Sequence, residues 1–184
     1  MRAYYDIETL YDSASIKAMT KMTYDLFHPQ ISGRIYLISI ALMAGGVIGS
    51  SYSESPLFIA IIALGCFIFT AADYGPKTAA KQILSNMNEN YPLMKFSFRS
   101  DNIVVTTPNE TGVVHYDILV RLAESRQHLF LFSSERAAYS FSKADFKDFS
   151  VEEFKSFIQE KTGLSFERAP SFQKKIQAAI RSSK

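Results

Sequence analysis

Two stretches decide the fold: Ile35–Ser53, IYLISIALMAGGVIGSSYS, and Leu57–Ala72, LFIAIIALGCFIFTAA. Neither holds a charged residue, and between Arg34 and Asp73 only Glu54 interrupts the apolar block. At 1.5 Å per residue the first stretch reaches roughly 28 Å as a helix, close to the thickness of a bilayer's hydrocarbon core. The second is apolar on every helical face, which a half-exposed surface helix does not tolerate. Ser50–Pro56 between them has the composition of a turn. The reading is a transmembrane helical hairpin over residues 35–72.

A hairpin buried in a soluble core is the competing reading, because each strictly apolar run is shorter than about 20 residues. The flanks favour the membrane. Tyr36, Tyr52 and Tyr74 sit near the span ends, where amphipathic rings prefer the headgroup level. Lys21, Arg34, Lys77 and Lys81 lie on the outer flanks and no basic residue lies in the connecting loop, so the positive-inside rule predicts both termini in the cytoplasm. Gly45 and Gly49 form a small-xxx-small pair for close helix packing, within the hairpin before dimerisation.

Across all 184 residues the composition is bland, 47% hydrophobic with a net charge of +2, which argues against disorder and against a highly basic nucleic-acid binder. The lone Cys66 cannot form an intrachain disulfide and falls in the second span. A polar stretch with Asp6, Glu8, Asp12 and Asp25 precedes the first apolar run, unlike a cleavable signal peptide.

Outward from the hairpin, residues 1–34 read as a cytoplasmic N-terminal arm. Tyr4-Tyr5-Asp6-Ile7 forms a short strand, and Ser13 caps a helix carrying Ile16, Met19, Met22 and Leu26 that stops at Pro29. Residues 73–92 read as an amphipathic connector, with Pro76 in a first helical turn and Tyr91-Pro92 at its end. From Leu93 the period changes to two: Met94, Phe96 and Phe98 alternate with Lys95, Ser97 and Arg99. Strands over 103–107, 113–116, 118–124, 129–133 and 138–142, joined by short polar turns, predict an antiparallel meander. Ser150 and Glu153 spell a capping box, Phe149 staples onto Phe154, and Val151, Phe154, Phe157 and Ile158 form one stripe ending before Gly163. A helix therefore closes a compact domain over 93–163, and the fold class is α+β.

That order of elements resembles the YcxB-like family of bacterial membrane proteins. The residues that carry the resemblance are Phe98, Asp101-Asn102-Ile103, Tyr116 with Ile118, Glu124, Phe130-Leu131-Phe132, the Phe141–Phe146 segment and Glu152-Glu153-Phe154. Where the family has Pro-Lys-Arg around Phe141–Phe146, this sequence has Ser142 and Asp145. The resemblance implies a PH-like domain, similar to bacterial pleckstrin-homology modules, in a protein of the bacterial cytoplasmic (inner) membrane.

Chemistry is sparse. His28, His115 and His128 are scattered, so no metal motif is spelled, although His115 and His128 could meet across strands. No nucleophile elbow and no phosphate-cradling glycine loop occurs among the eight glycines, and no catalytic residue or cofactor is expected. Lys95, Arg99, Arg121, Arg126 and Arg136 lie among acidic neighbours, as solvated strand faces do, and no nucleic-acid partner is expected.

Residues 164–184 form a basic amphipathic tail. No acidic residue follows Glu167, and Phe172, Ile176, Ala179 and Ile180 share a face with Lys174, Lys175 and Arg181 beside it. Phe172, Lys174, Lys175, Ile176, Ile180 and Arg181 are thus candidate membrane- or partner-binding residues. The alternative is a loosely packed tail. The expected function is a membrane-tethered cytoplasmic binding module without catalytic activity, its ligand an anionic lipid headgroup or a protein. The second expectation is a membrane-resident immunity protein that neutralises a toxin or bacteriocin. Oligomeric state is not legible in the sequence.

Overall fold

The computed structural model describes residues 4–87 and 91–182. Arg2, part of the predicted arm, and Lys184, part of the basic tail, lie outside the described residues. The chain is α+β and divides into two compact units, Met1–Thr23 with Ala80–Ala169 and Tyr24–Ala79 with Pro170–Lys184.

The first unit is built on two four-stranded sheets. One runs β1(Tyr5–Leu10), β2(Leu93–Phe98), β3(Asn102–Thr106), β4(Thr111–His115), antiparallel throughout. The other runs in the order β7(Ala137–Ser142), β6(His128–Ser134), β5(Arg121–Glu124), β8(Phe166–Arg168). Alternation in β1 turns Ile7 and Thr9 inward, while outward Glu8 pairs with Lys95 at 2.5 Å. A core of Ile7, Phe96, Phe98, Ile103, Leu122, Leu129, Leu131 and Phe141 is completed by Phe154 and Ile158.

Those last two residues come from helix α5(Val151–Thr162), where local chemistry fixes both ends. The Ser150 hydroxyl accepts from Glu153 N–H while the Glu153 carboxylate accepts from Ser150 N–H, each at 3.1 Å. The Phe149 ring lies tilted against Phe154 with centroids 6.1 Å apart, and Gly163 ends the helix at φ +68°, a conformation costly for any side chain.

The structure corrects the expected boundaries in several places. The N-terminal arm is not separate from the domain over 93–163, because β1 pairs with β2 along its whole length, Tyr5 opposite Phe98 to Leu10 opposite Leu93. The sheet is not a pure meander, because β8 pairs parallel with β5 and removes residues 166–168 from the tail. A single 3₁₀ turn over Tyr116–Ile118 precedes β5, which begins at Arg121 rather than 118. Helix α1(Ser13–Phe27) is capped by Asp12, whose Oδ1 accepts from Ser15 N–H at 2.8 Å, and not by Ser13.

In the second unit Pro29 opens a helix instead of only closing one: α2(Pro29–Ser50) carries the first apolar stretch and extends six residues N-terminal to it. Proline suits that position because the first turn needs no N–H from it. α3(Pro56–Thr70) carries the second stretch, starts at Ser55, whose hydroxyl accepts from Leu57 N–H, and leads through a 3₁₀ turn at Ala71–Asp73 into α4(Tyr74–Met87). α6(Phe172–Arg181) completes this unit.

Candidate functional site

Within the hairpin, polar groups are satisfied by the helices themselves. Ser39, fully buried inside α2, donates to Ile35 O at 2.7 Å, and Ser50 donates to Val47 O at 2.8 Å. The helices meet at glycines. A Cβ on Gly46 would stand 2.5 Å from Ile62 and 3.0 Å from Phe58 O, one on Gly65 would stand 3.0 Å from Ser39 O, and one on Gly49 would run into the Phe58 ring. The Gly45 expectation is corrected here: a Cβ at Gly45 meets nothing within 4 Å, and Gly46 is the residue that packs beside Gly49.

The outer faces of α2 and α3 are apolar. Ile38, Val47, Ile48, Leu57, Ile59, Leu64 and Phe67 are all exposed. Two helical stretches, Pro29–Ser50 and Pro56–Met87, are long and apolar enough to cross a membrane, and their apolar windows are only 22% and 11% buried. A core helix of a soluble domain buries such a face.

Helix α6 lies on the N-terminal part of α2. Ser171 caps it by accepting from Lys174 N–H at 3.4 Å, and Gly33 provides the contact point, since a Cβ there would collide with the Lys175 backbone carbonyl and stand 2.9 Å from Ala179 Cβ. Phe172 joins Tyr36 and Phe69 in a ring cluster, with centroids 4.9 Å from Tyr36 and 6.4 Å from Phe69. Arg34 donates to Ser182 O at 3.3 Å and to its hydroxyl at 3.1 Å.

Lys175 departs from its expected role. Its Nζ donates to Asp25 Oδ1 and both residues are buried, so this cation is committed inside the unit and not available to a lipid phosphate or a partner. Lys174 and Arg181 are exposed, as are Phe172 and Ile180, while Ile176 is half-buried. Sequence periodicity sees Lys175 only as one more basic residue. Its partner is 150 positions away.

The first unit carries two clefts that share Arg126 and Lys143. One, of about 450 Å³, is lined by Asp12, Ser15, His128 and Asp145 among others. The backbone N–H of Ser15 holds the Asp12 carboxyl below the usual carboxylate range, and burial pushes His128 down against the opposing pull of Asp12 and Asp145. His128 stacks on Phe130 at 6.0 Å. It lies on β6, whereas His115 lies on β4 of the other sheet.

The other cleft, of about 370 Å³, surrounds Glu124. Glu124 Oε1 accepts from Arg168 Nε at 3.0 Å, and Oε2 faces Lys155 Nζ at 2.9 Å and Lys143 Nζ at 3.7 Å. The hydrogen bond from Lys155 lowers the Glu124 pKa, with Arg168 adding to it, against desolvation. Burial works to lower Lys155, but its bonds to Glu124 and Glu152 outweigh that and raise it. The resemblance singled out Glu124 by its type alone. Its cations come from β8, α5 and the turn after β7, a convergence no local pattern spells.

Among the described residues no group of three or more His, Cys, Asp or Glu side chains is placed to hold a metal ion. Cys66 is exposed on α3 with its Sγ 3.7 Å from Met43 Sδ. Residues 98–158, from the end of β2 through most of α5, match the family model described as YcxB-like protein. No curated protein and no solved structure matches the chain.

Proposed function

We propose that the chain is a membrane-tethered binding module of the bacterial cytoplasmic membrane, with the α2–α3 hairpin crossing the bilayer and the two-sheet unit, a PH-like domain, held in the cytoplasm to bind a lipid headgroup or a protein without catalysis. The observation that carries this reading is the outward apolar face of two helices that are long enough to span, in the same chain as a unit whose apolar side chains are turned inward. Exposed Arg34, Lys77 and Lys81 on the outer flanks, against exposed Glu54 in the loop, support an orientation with both termini inside. The PH-like assignment draws its support from two four-stranded sheets closed by α5 and from the YcxB-like segment. In the tail, Phe172 and Ile180 would enter the headgroup boundary while Lys174 and Arg181 meet anionic lipid, each cation contributing about 1 kcal/mol near such a surface.

The test is extraction and labelling in cells. Alkaline carbonate should leave the protein in the membrane pellet, and with Cys66→Ser as background, Ser53→Cys should react with an impermeant maleimide added outside. Release into the carbonate supernatant would remove the tether, and labelling only after lysis would reverse the orientation.

A further inference from the structure

We infer that the cleft beside Glu124 is an anion site for a phosphate monoester group, with Arg126 and Lys143 as its principal contacts and Arg168 at its rim. The proposal deepens the binding-module reading and rests on it. Glu124 is one carboxylate, with its side chain 11% exposed, and three cations converge on it. Two of them are accounted for by structure. Lys155 ties α5 to β5 at 2.9 Å and shares Glu152, and Arg168 ties β8 to the same strand at 3.0 Å.

The third, Lys143, is not, and neither is Arg126, which borders the same cleft. Lys143 stands 3.7 Å from an oxygen that Lys155 already occupies more closely, and Arg126 makes no hydrogen bond or ion pair among the described residues. Within this cleft's own lining Arg126, Lys143 and Arg168 stand against the single carboxylate of Glu124, an excess of two positive charges around an opening of about 370 Å³, while Asp12 and Asp145 line the neighbouring cleft that shares Arg126 and Lys143. That excess matches a dianion. Glu124 then serves as the post that orders the cations, and the exposed Arg168, engaged by Glu124 at Nε, presents its planar fork at the rim. A phosphate diester, with a single charge, satisfies the excess less well than a monoester.

The same chemistry is offered by a lipid such as phosphatidic acid and by a soluble phosphomonoester. The experiment uses the full chain, titrated calorimetrically with inorganic phosphate at fixed ionic strength, first in neutral detergent and then in phosphatidylcholine nanodiscs with and without phosphatidic acid. Saturable phosphate binding is expected, weakened about tenfold or more by Arg126→Gln with Lys143→Gln, as loss of two charge-assisted contacts requires. Lys174→Gln with Arg181→Gln should leave it unchanged. Loss of the phosphate signal in phosphatidic acid nanodiscs, but not in phosphatidylglycerol ones, assigns the site to lipid, and an unaltered signal assigns it to a soluble ligand.

Absence of saturable binding in the parent, or parent-like binding in the double variant, overturns the proposal, and so does loss of binding in the tail variant. Should the double variant unfold early, Arg126→Glu alone decides, because that side chain holds nothing else in place. Carbonate extraction reads the tether independently, so the site and the module can fail separately.

Discussion

The two units treat the same kind of side chain in opposite ways. Phe98, Phe130, Phe132, Phe141 and Phe154 are 0% exposed in the two-sheet unit, whereas in the hairpin Phe67 is 72% exposed and Ile59 67%. In the first unit water drives the rings together, and edge strands carry backbone groups that water can satisfy. In the second the backbone is satisfied inside helices and the apolar surface is offered outward, the only arrangement other than a closed barrel that a bilayer accepts. One chain thus follows two opposite rules, and the difference lies in where large apolar residues point, more than in how many there are.

Breaking the inward rule should have the largest effect. Phe154 packs edge-on against Phe98 at 4.8 Å and lies within 6.2 Å of Phe141 and 5.1 Å of Phe146. Phe154→Ala should cost about 3 to 5 kcal/mol in urea unfolding of the full chain in detergent, read by tyrosine fluorescence. An unfolding midpoint equal to the parent's would mean that the sheets do not depend on α5.

The second unit has its own inward contact, the Asp25–Lys175 pair. Removing one partner leaves a buried charge uncompensated, so Asp25→Ala should cost about 3 kcal/mol or more and expose α6 to trypsin after Lys174 and Arg181. Asp25→Leu with Lys175→Met should restore protection, because a well-packed apolar pair replaces the ions. Continued lability of that double variant would show that the charges, and not the packing at Gly33, hold the helix.

Breaking the outward rule comes next in size. Phe67→Arg places a charge on the exposed face in the C-terminal third of α3 and should cost up to about 2.5 to 3.5 kcal/mol of insertion, the figure for a helix centre, with a measurable share of the protein moving to the carbonate-soluble fraction. Phe67→Leu should behave as the parent. Equal extraction of the arginine variant and the parent would place α3 outside the hydrocarbon.

What the sequence made legible follows from the range of the interactions. Both long apolar helices, the capping box at Ser150, the Phe149 staple and the period-two strands depend on neighbours a few positions apart, and each is readable. The pairing of β1 with β2 spans more than 80 residues and the Asp25–Lys175 pair 150, so periodicity had no access to either. Spacing pairs Gly45 with Gly49 but cannot tell which helical face meets a partner, and it is Gly46 that packs there. The Glu124 cleft was the least readable, since its cations sit on three separate elements. A lone glutamate in a strand gives no sign of them.

The N-cap tests the closing helix at smaller scale. Ser150→Ala removes one side of a reciprocal pair of 3.1 Å hydrogen bonds and should lower stability by about 1 kcal/mol, several-fold less than Phe154→Ala. Ser150→Asp should recover most of it, since a carboxylate also accepts from the N3 amide. A loss as large as that of Phe154→Ala would mean that the cap nucleates the whole unit instead of trimming one helix end.

The smallest effect is the pH dependence carried by Glu124. Its folded-state pKa is lowered, chiefly by the hydrogen bond from Lys155, so the unfolded chain binds the proton more readily than the folded one. The stabilisation is therefore complete above the ordinary glutamate pKa of about 4.3 and is lost as pH falls through the lower folded value. Glu124→Gln lacks this contribution at every pH. The difference in melting temperature between parent and variant should accordingly be constant near neutrality, narrow as the pH drops below about 4, and be reduced by salt only weakly, because the carboxylate is nearly buried. A difference that widened on acidification would reverse the sign of the linkage, and the cations around Glu124 would then have to be held by something other than its charge.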